Sequence, residues 1–289
     1  KNFYGVDLMK IVFYGAGNMA SAIFIGMIEN RVVAPSDIYL TSKSMQEKIM
    51  FFKENLGVNV SYDDQALLKD ADYVILASKP QSFPSVAGRI RPYLEPETKV
   101  VSVMAGTQIK TIRRELKTEN PIARIMPNTN AMVQHSVNGI SYSRNFTDRD
   151  ELIELMESFG TTVTVEEDEM HNITAATGSG SAFLYYIYEM YAESLMELGF
   201  DEEEAMFLTR NLVIGAGKMV EDSELSFSDL RKNITSKHGT TEAGLDALDG
   251  DGLKRILVKT LNAAANRSEE LSKDCLLYTS DAADDSLRV

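Results

Sequence analysis

The sequence is poor in the residues on which several protein classes depend. Its 289 residues include one cysteine and three histidines. A single cysteine excludes an internal disulfide framework and fits a reducing compartment, so we expect a cytoplasmic protein. His135 and His171 are expected to be ordinary surface histidines, and no cluster of His, Cys and Asp has the spacing of a metal site. We therefore predict that the protein uses no metal.

Positive charge is also scarce. The chain has 29 Lys and Arg against 43 Asp and Glu, for a formal net charge of −14. This balance argues against a nucleic-acid partner and against binding to anionic membrane surfaces. No apolar run reaches the roughly eighteen residues of a membrane helix. The length and an apolar content of 44% instead favour a globular protein with two domains.

The two ends of the sequence differ from the rest. "MKIVFYGAG" reads as a natural start at Met9, which would make residues 1–8 an extension. The last fifteen residues, "CLLYTSDAADDSLRV", break the helical pattern before them. We therefore expect 1–8 and 275–289 to be non-native extensions. A native but frayed C-terminus is the alternative.

A glycine-rich turn follows the first apolar strand and opens a helix. The turn "GAGNMA" has the form G-x-G-x-x-A, with Gly15, Gly17 and Ala20 at the characteristic positions. The glycines permit a tight turn and a close approach of a pyrophosphate, and the helix N-terminus supplies free N–H groups. The turn therefore predicts dinucleotide binding.

The residues after the second strand, "DIYLT", bear on which dinucleotide binds. An NAD site is expected to carry an acid here, which accepts from the ribose 2′-hydroxyl. The sequence instead has Ser42 and Lys43 within "TSKS". A hydroxyl and a cation suit a 2′-phosphate, so NADP is favoured and NAD remains possible. A plain polar turn is the alternative.

Further buried strands are predicted within 71–80, 99–107 and 122–130, and two more in "NGISYS" and "TTVTVEE". The first three end in small or turn residues, where open parallel sheets bind ligands. Lys79 at such an end would contact cofactor or substrate, or else be a solvated lysine. We assign 9–167 to a Rossmann-type α/β domain.

The second half is predicted to be helical, in a domain spanning 168–274. Long helices are expected over 181–199, 201–222 and 251–273. Asp201 and Glu204 have the spacing of a capping box at the start of the second helix. The stretch 181–199 is apolar on nearly all sides. Two helices this apolar need more cover than a small helical domain supplies, so a second copy of the chain is expected to cover them.

Six motifs occur in a fixed order: "GAGNMA", "SKP", "MPNTN", "TGSGSAF", "GAGKMV" and "ITSKHGTTEAGL". Together they resemble the pyrroline-5-carboxylate reductase family, over about residues 9–273. The resemblance implies an N-terminal Rossmann-type dinucleotide-binding domain followed by an all-helical dimerisation domain. It implies a homodimer, and five such dimers often form a decamer in this family. The implied reaction is reduction of the C=N bond of 1-pyrroline-5-carboxylate to L-proline by NAD(P)H, the last step of proline biosynthesis.

The resemblance also implies roles for particular residues. The pyrophosphate would be held by Gly15, Ala16, Gly17, Asn18 and Met19. The adenosine phosphate would face Ser42 and Lys43. The nicotinamide side would be lined by Ala77, Lys79, Pro80 and Asn128. The substrate residues would be Ser236, Gly239, Thr240, Thr241 and Glu221. Thr241 matches the catalytic position whose hydroxyl meets the ring nitrogen. Alternatively, Thr240 or Thr241 merely caps a helix that begins near Glu242.

Two positions depart from the family pattern. Ser181 stands where proline is expected, and His238 where glycine is usual. If the backbone at His238 has a positive φ, the histidine is strained by about 1 kcal/mol or more. Its imidazole would crowd the substrate carboxylate or, when protonated, assist it.

Other functions have to be weighed against a reductase. β-Hydroxyacid dehydrogenases share the architecture but use a lysine on the first helix after the Rossmann domain. Here no lysine occurs between Lys117 and Lys218, which disfavours that class. A non-catalytic, regulatory NADP-binding paralogue and a reductase of a related cyclic imine stay open.

Overall fold

A computed structural model describes the backbone of residues 9–284 and the side chains of residues 9–273. The predicted extension 1–8 and the last five residues of the predicted extension 275–289 lie outside the described residues. The chain divides into two compact units. The first runs to Ser179 and also includes the chain from Ala264 onward, and the second is Gly180–Ala263.

The first unit is built on one eight-stranded sheet. Its strands are β1 Ile11–Tyr14, β2 Ile38–Thr41, β3 Asn59–Val60, β4 Tyr73–Leu76, β5 Lys99–Ser102, β6 Ile122–Met126, β7 Ser136–Tyr142 and β8 Gly160–Thr164. The order across the sheet is β3-β2-β1-β4-β5-β6-β7-β8, and only the β6–β7 pair is antiparallel. The order therefore reverses between β1 and β4, the position at which doubly wound sheets bind ligands.

Helices cover both faces of this sheet. They are α1 Asn18–Glu29, α2 Gln46–Leu56, α3 Asp64–Leu68, α4 Phe83–Ile90, α5 Ile109–Leu116, α6 Arg149–Glu157 and the short α7 Met170–Ile173. All four residues of β1 are buried, and they alternate between two cores: Ile11 and Phe13 face one, Val12 and Tyr14 the other. This alternation follows from the period of two in a strand and explains why β1 is apolar throughout.

The second unit is helical. It contains α8 Gly180–Glu197, α9 Glu202–Glu221, α10 Phe227–Asn233, α11 Thr240–Gly250 and the start of α12 Leu253–Asp284. The predicted capping box at α9 is confirmed: the Asp201 side chain accepts from the Glu204 N–H at 2.9 Å, and the Glu204 carboxylate accepts from the Asp201 N–H at 3.3 Å. Across residues 9–284, no helix is both long and apolar enough to cross a membrane.

Two sequence-based expectations are corrected. The helix α12 continues to Asp284, so the expected break of the helical pattern before residue 275 is not seen. The prediction was wrong because alanine and leucine in this segment favour helix. His171 is not an ordinary surface residue, since it is partly buried and its Nδ1 lies 3.0 Å from the Ser268 hydroxyl of α12. His135 is exposed, as expected.

Candidate functional site

The glycine turn lies at the carboxyl edge of the sheet, where the strand order reverses. Tyr14, the last residue of β1, pairs with Thr41 of β2 on one side and with Leu76 of β4 on the other. The residues that follow these three strand ends therefore lie side by side. They include three predicted cofactor residues: Gly15, Ser42 and Ala77.

The two glycines of the turn have different physical roles. Gly15 has a φ of +119°, and a Cβ built on it would lie 2.5 Å from the Ala77 carbonyl oxygen. Only glycine satisfies both the backbone conformation and this close approach. Gly17 is the N-cap of α1 with an ordinary φ of −64°, and a Cβ there would meet nothing within 4 Å. Gly17 thus borders open space at the mouth of the helix.

The start of α1 is suited to an anion. Asn18 and Met19 are its first two residues, the first turn contains no acid, and no side chain caps its N–H groups. The first N–H groups of a helix have no partner within the helix and carry its positive dipole end. Ala16, buried in the turn, fixes the entry into this helix. The mouth of α1 can therefore hold a pyrophosphate.

The other predicted cofactor residues follow neighbouring strands. Ser42 is buried directly after β2, while Lys43 is exposed. Lys79 and Pro80 follow β4 and begin a 3-10 helix, Pro80–Ser82. The exposed side chain of Lys43 and the neighbouring hydroxyl of Ser42 are compatible with binding of a phosphate monoester.

Asn128 has a structural environment that sequence reasoning missed. Its side-chain oxygen accepts from the Asn130 N–H at 3.2 Å, and its side-chain nitrogen donates to the Thr177 carbonyl at 3.2 Å. Its backbone N–H donates to the Ser136 hydroxyl at 3.0 Å. The residue is 5% exposed. Asn128 therefore holds the loop after β6 against the segment that contains Thr177, and the motif "MPNTN" alone does not reveal these contacts.

In the second unit, four of the five predicted substrate residues lie at or just before the start of α11: Ser236, Gly239, Thr240 and Thr241. The helix begins at Thr240, with Gly239 as its N-cap and no side-chain cap hydrogen bond. The alternative, in which Thr240 or Thr241 caps a helix that begins near Glu242, is therefore wrong. The reason is that a glycine N-cap with extended backbone already opens the helix two residues earlier.

The N–H groups at this helix start are not equivalent. Gly239 donates its N–H to the Ser236 carbonyl at 3.0 Å, which closes the loop before the helix. The N–H groups of Thr240 and Thr241 have no preceding helical carbonyl to bind. They form, with the hydroxyl of the half-buried residue Thr241, a small set of donors suited to a carboxylate and a ring nitrogen.

Glu221 lies at the end of α9 and forms an ion pair with Lys218 at 2.8 Å. Both side chains are exposed. The hydrogen bond from Lys218 to Glu221 raises the pKa of the Lys218 ammonium. The structure thus places the predicted substrate residues on two elements of the second unit, the end of α9 and the start of α11.

Together, the sheet with its order reversal and the glycine turn define a dinucleotide-binding protein of the Rossmann class. The family model for NADP oxidoreductase, coenzyme F420-dependent, matches residues 10–106. The model for pyrroline-5-carboxylate reductase dimerisation matches residues 167–271.

Similarity to individual known proteins identifies the family within this class. The chain is 53% identical over 266 residues to a pyrroline-5-carboxylate reductase of Staphylococcus epidermidis, covering 91% of this chain and 98% of that relative. Among solved structures, a pyrroline-5-carboxylate reductase from Coxiella burnetii has a TM-score of 0.86 and 34% identity, covering 92% of this chain and 99% of that chain. Pyrroline carboxylate reductase from Plasmodium falciparum with NADP bound has a TM-score of 0.77 and 25% identity, covering 93% and 100%. The chain belongs to the pyrroline-5-carboxylate reductase family.

Proposed function

We propose that this chain reduces the C=N bond of 1-pyrroline-5-carboxylate to L-proline with NADPH, the last step of proline biosynthesis. The observation that carries the proposal is the 53% identity to a reductase of that name, over 98% of the relative's length. The test is turnover: purified protein should oxidise NADPH when 1-pyrroline-5-carboxylate is added. L-proline should form in equal amount.

The cofactor residues in this proposal lie at the carboxyl edge of the sheet. Gly15, Ala16, Gly17, Asn18 and Met19 hold the pyrophosphate, supported by the open space at Gly17 and the uncapped helix start. When bound, the cofactor supplies the hydride. NADPH is favoured and NADH remains usable.

The remaining cofactor contacts come from the residues after β2, β4 and β6. Ser42 and Lys43 contact the 2′-phosphate, because no acid follows β2 to accept from a free ribose hydroxyl. Ala77, Lys79 and Pro80 line the nicotinamide and its ribose. Asn128 acts from the neighbouring loop, whose conformation its own side chain stabilises.

The substrate residues act by position and electrostatics. The N–H groups of Thr240 and Thr241, with Ser236 and Gly239 shaping the loop, hold the carboxylate. The Thr241 hydroxyl donates to or accepts from the ring nitrogen and fixes the ring for reduction. Glu221 contributes on the amine side. No nucleophile is required, since hydride transfer to C=N needs an oriented substrate and no covalent intermediate.

A non-catalytic NADP-binding role is the second candidate, and His238 is the observation that favours it. The residue occupies the family's glycine position with a φ of 60° and an 83% exposed side chain, two residues before Thr240. NADPH binding without turnover of 1-pyrroline-5-carboxylate would support this candidate over the reductase. Turnover of a different cyclic imine only would instead redefine the substrate.

The proposed assembly is a homodimer. Light scattering distinguishes a free dimer from a decamer of five dimers by its mass. The support is apolar exposure on α8 and α9: Tyr185 and Tyr186 are 60% and 61% exposed, and Phe207 is 66% exposed. A stable monomer at low micromolar concentration would contradict the dimer.

We place the protein in the cytoplasm because a single cysteine suits a reducing compartment. Fractionation of the source cells would test this location.

A further inference from the structure

Lys48 reaches from α2 to the mouth of the glycine-turn helix. Its Nζ lies 3.2 Å from the side-chain oxygen of Asn18, the first residue of α1. This partner is a neutral amide. No ion pair within residues 9–273 involves Lys48. A cation is therefore held beside the helix start without a carboxylate to neutralise it.

The position of this cation is set by the core. The Lys48 Nζ lies 5.7 Å from the centroid of the Phe52 ring, one turn further along α2. Phe52 is 7% exposed and makes an edge contact with Phe24 of α1, with ring centroids 5.0 Å apart. Phe24 packs in the same way on Phe13 of β1, at 5.5 Å. An aromatic column through β1, α1 and α2 thus supports the lysine stem and reduces its loss of freedom on binding a ligand.

Two sources of positive potential meet at one place. The first turn of α1 offers uncapped N–H groups and contains no acid, and the Lys48 ammonium lies against its first side chain. Lys43, by contrast, is the second residue after β2, on the ribose side of such a site. Lys48 and Lys43 are thus placed to contact different parts of a dinucleotide.

We propose that Lys48 binds the pyrophosphate of the dinucleotide and so contributes equally to the affinity for NADPH and NADH. The inference rests on the proposed cofactor site and adds a residue to it. On this assignment Lys43 selects for the 2′-phosphate, while Lys48 supplies affinity that does not discriminate between the two cofactors. A cation next to helix N–H groups is a recurrent arrangement for phosphate oxygens.

The experiment is calorimetric titration of NADPH and of NADH into the full chain and into four variants. Lys48→Met removes the charge but keeps an unbranched stem against Phe52, and Lys48→Arg keeps the charge. Lys43→Gln tests the 2′-phosphate contact. Lys53→Met is the matched control, since it removes the same charge from an exposed position of the same helix. The melting temperature of each variant reports folding.

We expect Lys48→Met to weaken the binding of NADPH and of NADH by the same factor, about tenfold. This is the effect of losing one hydrogen bond to a charged group. Lys48→Arg should retain most of the affinity for both. Lys43→Gln should weaken the binding of NADPH alone, and Lys53→Met should leave the affinity for both cofactors unchanged.

Two outcomes overturn the inference while leaving the proposed function intact. One is unchanged affinity of Lys48→Met for both cofactors, and the other is a loss confined to NADPH, which would assign Lys48 to the 2′-phosphate. Failure of the unmodified chain to bind either nucleotide would instead overturn the proposed cofactor site, and the role of Lys48 with it.

Discussion

The backbone N–H of His238 donates to a carboxylate oxygen of Glu242 at 2.5 Å, and this bond spans the start of α11. His238 itself has a left-handed backbone with a φ of 60°. The carboxylate of Glu242 thus holds the loop before Thr240 through a backbone group. The identity of the side chain at 238 is not needed for this contact.

Replacing His238 with glycine should therefore keep the loop and relieve strain. A non-glycine residue in the left-handed region costs about 1 kcal/mol or more, part of which the greater freedom of glycine in the unfolded chain offsets. We expect His238→Gly to keep or raise kcat/KM and to raise the free energy of unfolding slightly. Lys237→Gly is the control, because its backbone is not left-handed and glycine gains nothing there. A fall in turnover with His238→Gly would show that the imidazole assists the reaction.

The two glycines of the turn should respond differently to alanine. Gly15→Ala places a methyl 2.5 Å from the Ala77 carbonyl at a φ of +119°, so it should lower stability by about 1–3 kcal/mol. Gly17→Ala meets no protein atom within 4 Å and should change stability by less than about 0.5 kcal/mol. Its methyl would instead overlap a bound pyrophosphate, weakening NADPH roughly tenfold or more.

Thermal unfolding and NADPH titration of both variants separate these effects. If Gly17→Ala bound NADPH with unchanged affinity, the pyrophosphate would have to lie elsewhere. Equal loss of stability in the two variants would mean that the turn repacks around either methyl group.

Local signals allowed much of this molecule to be predicted. The capping box of Asp201 and Glu204 depends on residues three positions apart, and the glycine turn on six consecutive residues. The contact between Lys48 and Asn18 joins residues thirty positions apart, and it depends on how α2 packs against α1. Nothing in the sequence near either residue reports that packing.

The start of α11 shows a different limit. The hydroxyls in "HGTT" resemble helix caps, since Ser and Thr are favoured at N-caps and glycine is also accepted there. The choice among them depends on the extended backbone of Gly239 and on its N–H bond to Ser236. Those dihedral angles are a property of the folded loop, so the sequence pattern left the first helical residue open.

Stability should depend on pH through His171. Burial is the main cause that lowers its pKa, and the positive charge of Arg124 lowers it further. A histidine with a lowered pKa binds a proton less readily in the folded state than in the unfolded chain. The contribution of His171 to the free energy of unfolding is therefore fully present above the unfolded pKa of about 6.5. It is lost as the pH falls from there through the lower pKa of the folded state.

The measurement compares unfolding midpoints at pH about 7 and about 5. His171→Gln should lose less stability on acidification than the unmodified chain. His135→Gln, at an exposed histidine, should follow the unmodified chain. Parallel pH profiles for all three proteins would exclude His171 as a source of the acid sensitivity.

Thr241 is the residue on which the proposed chemistry depends most directly. It is the second residue of α11, and no side chain caps that helix, so its hydroxyl has no capping role to lose. Thr241→Ala should therefore leave the melting temperature and NADPH affinity nearly unchanged. Activity should fall about tenfold or more through loss of a transition-state hydrogen bond to the ring nitrogen. Thr241→Ser keeps the hydroxyl and should retain most activity. Steady-state kinetics with 1-pyrroline-5-carboxylate decide the matter: full turnover by Thr241→Ala would remove this hydroxyl from the reaction.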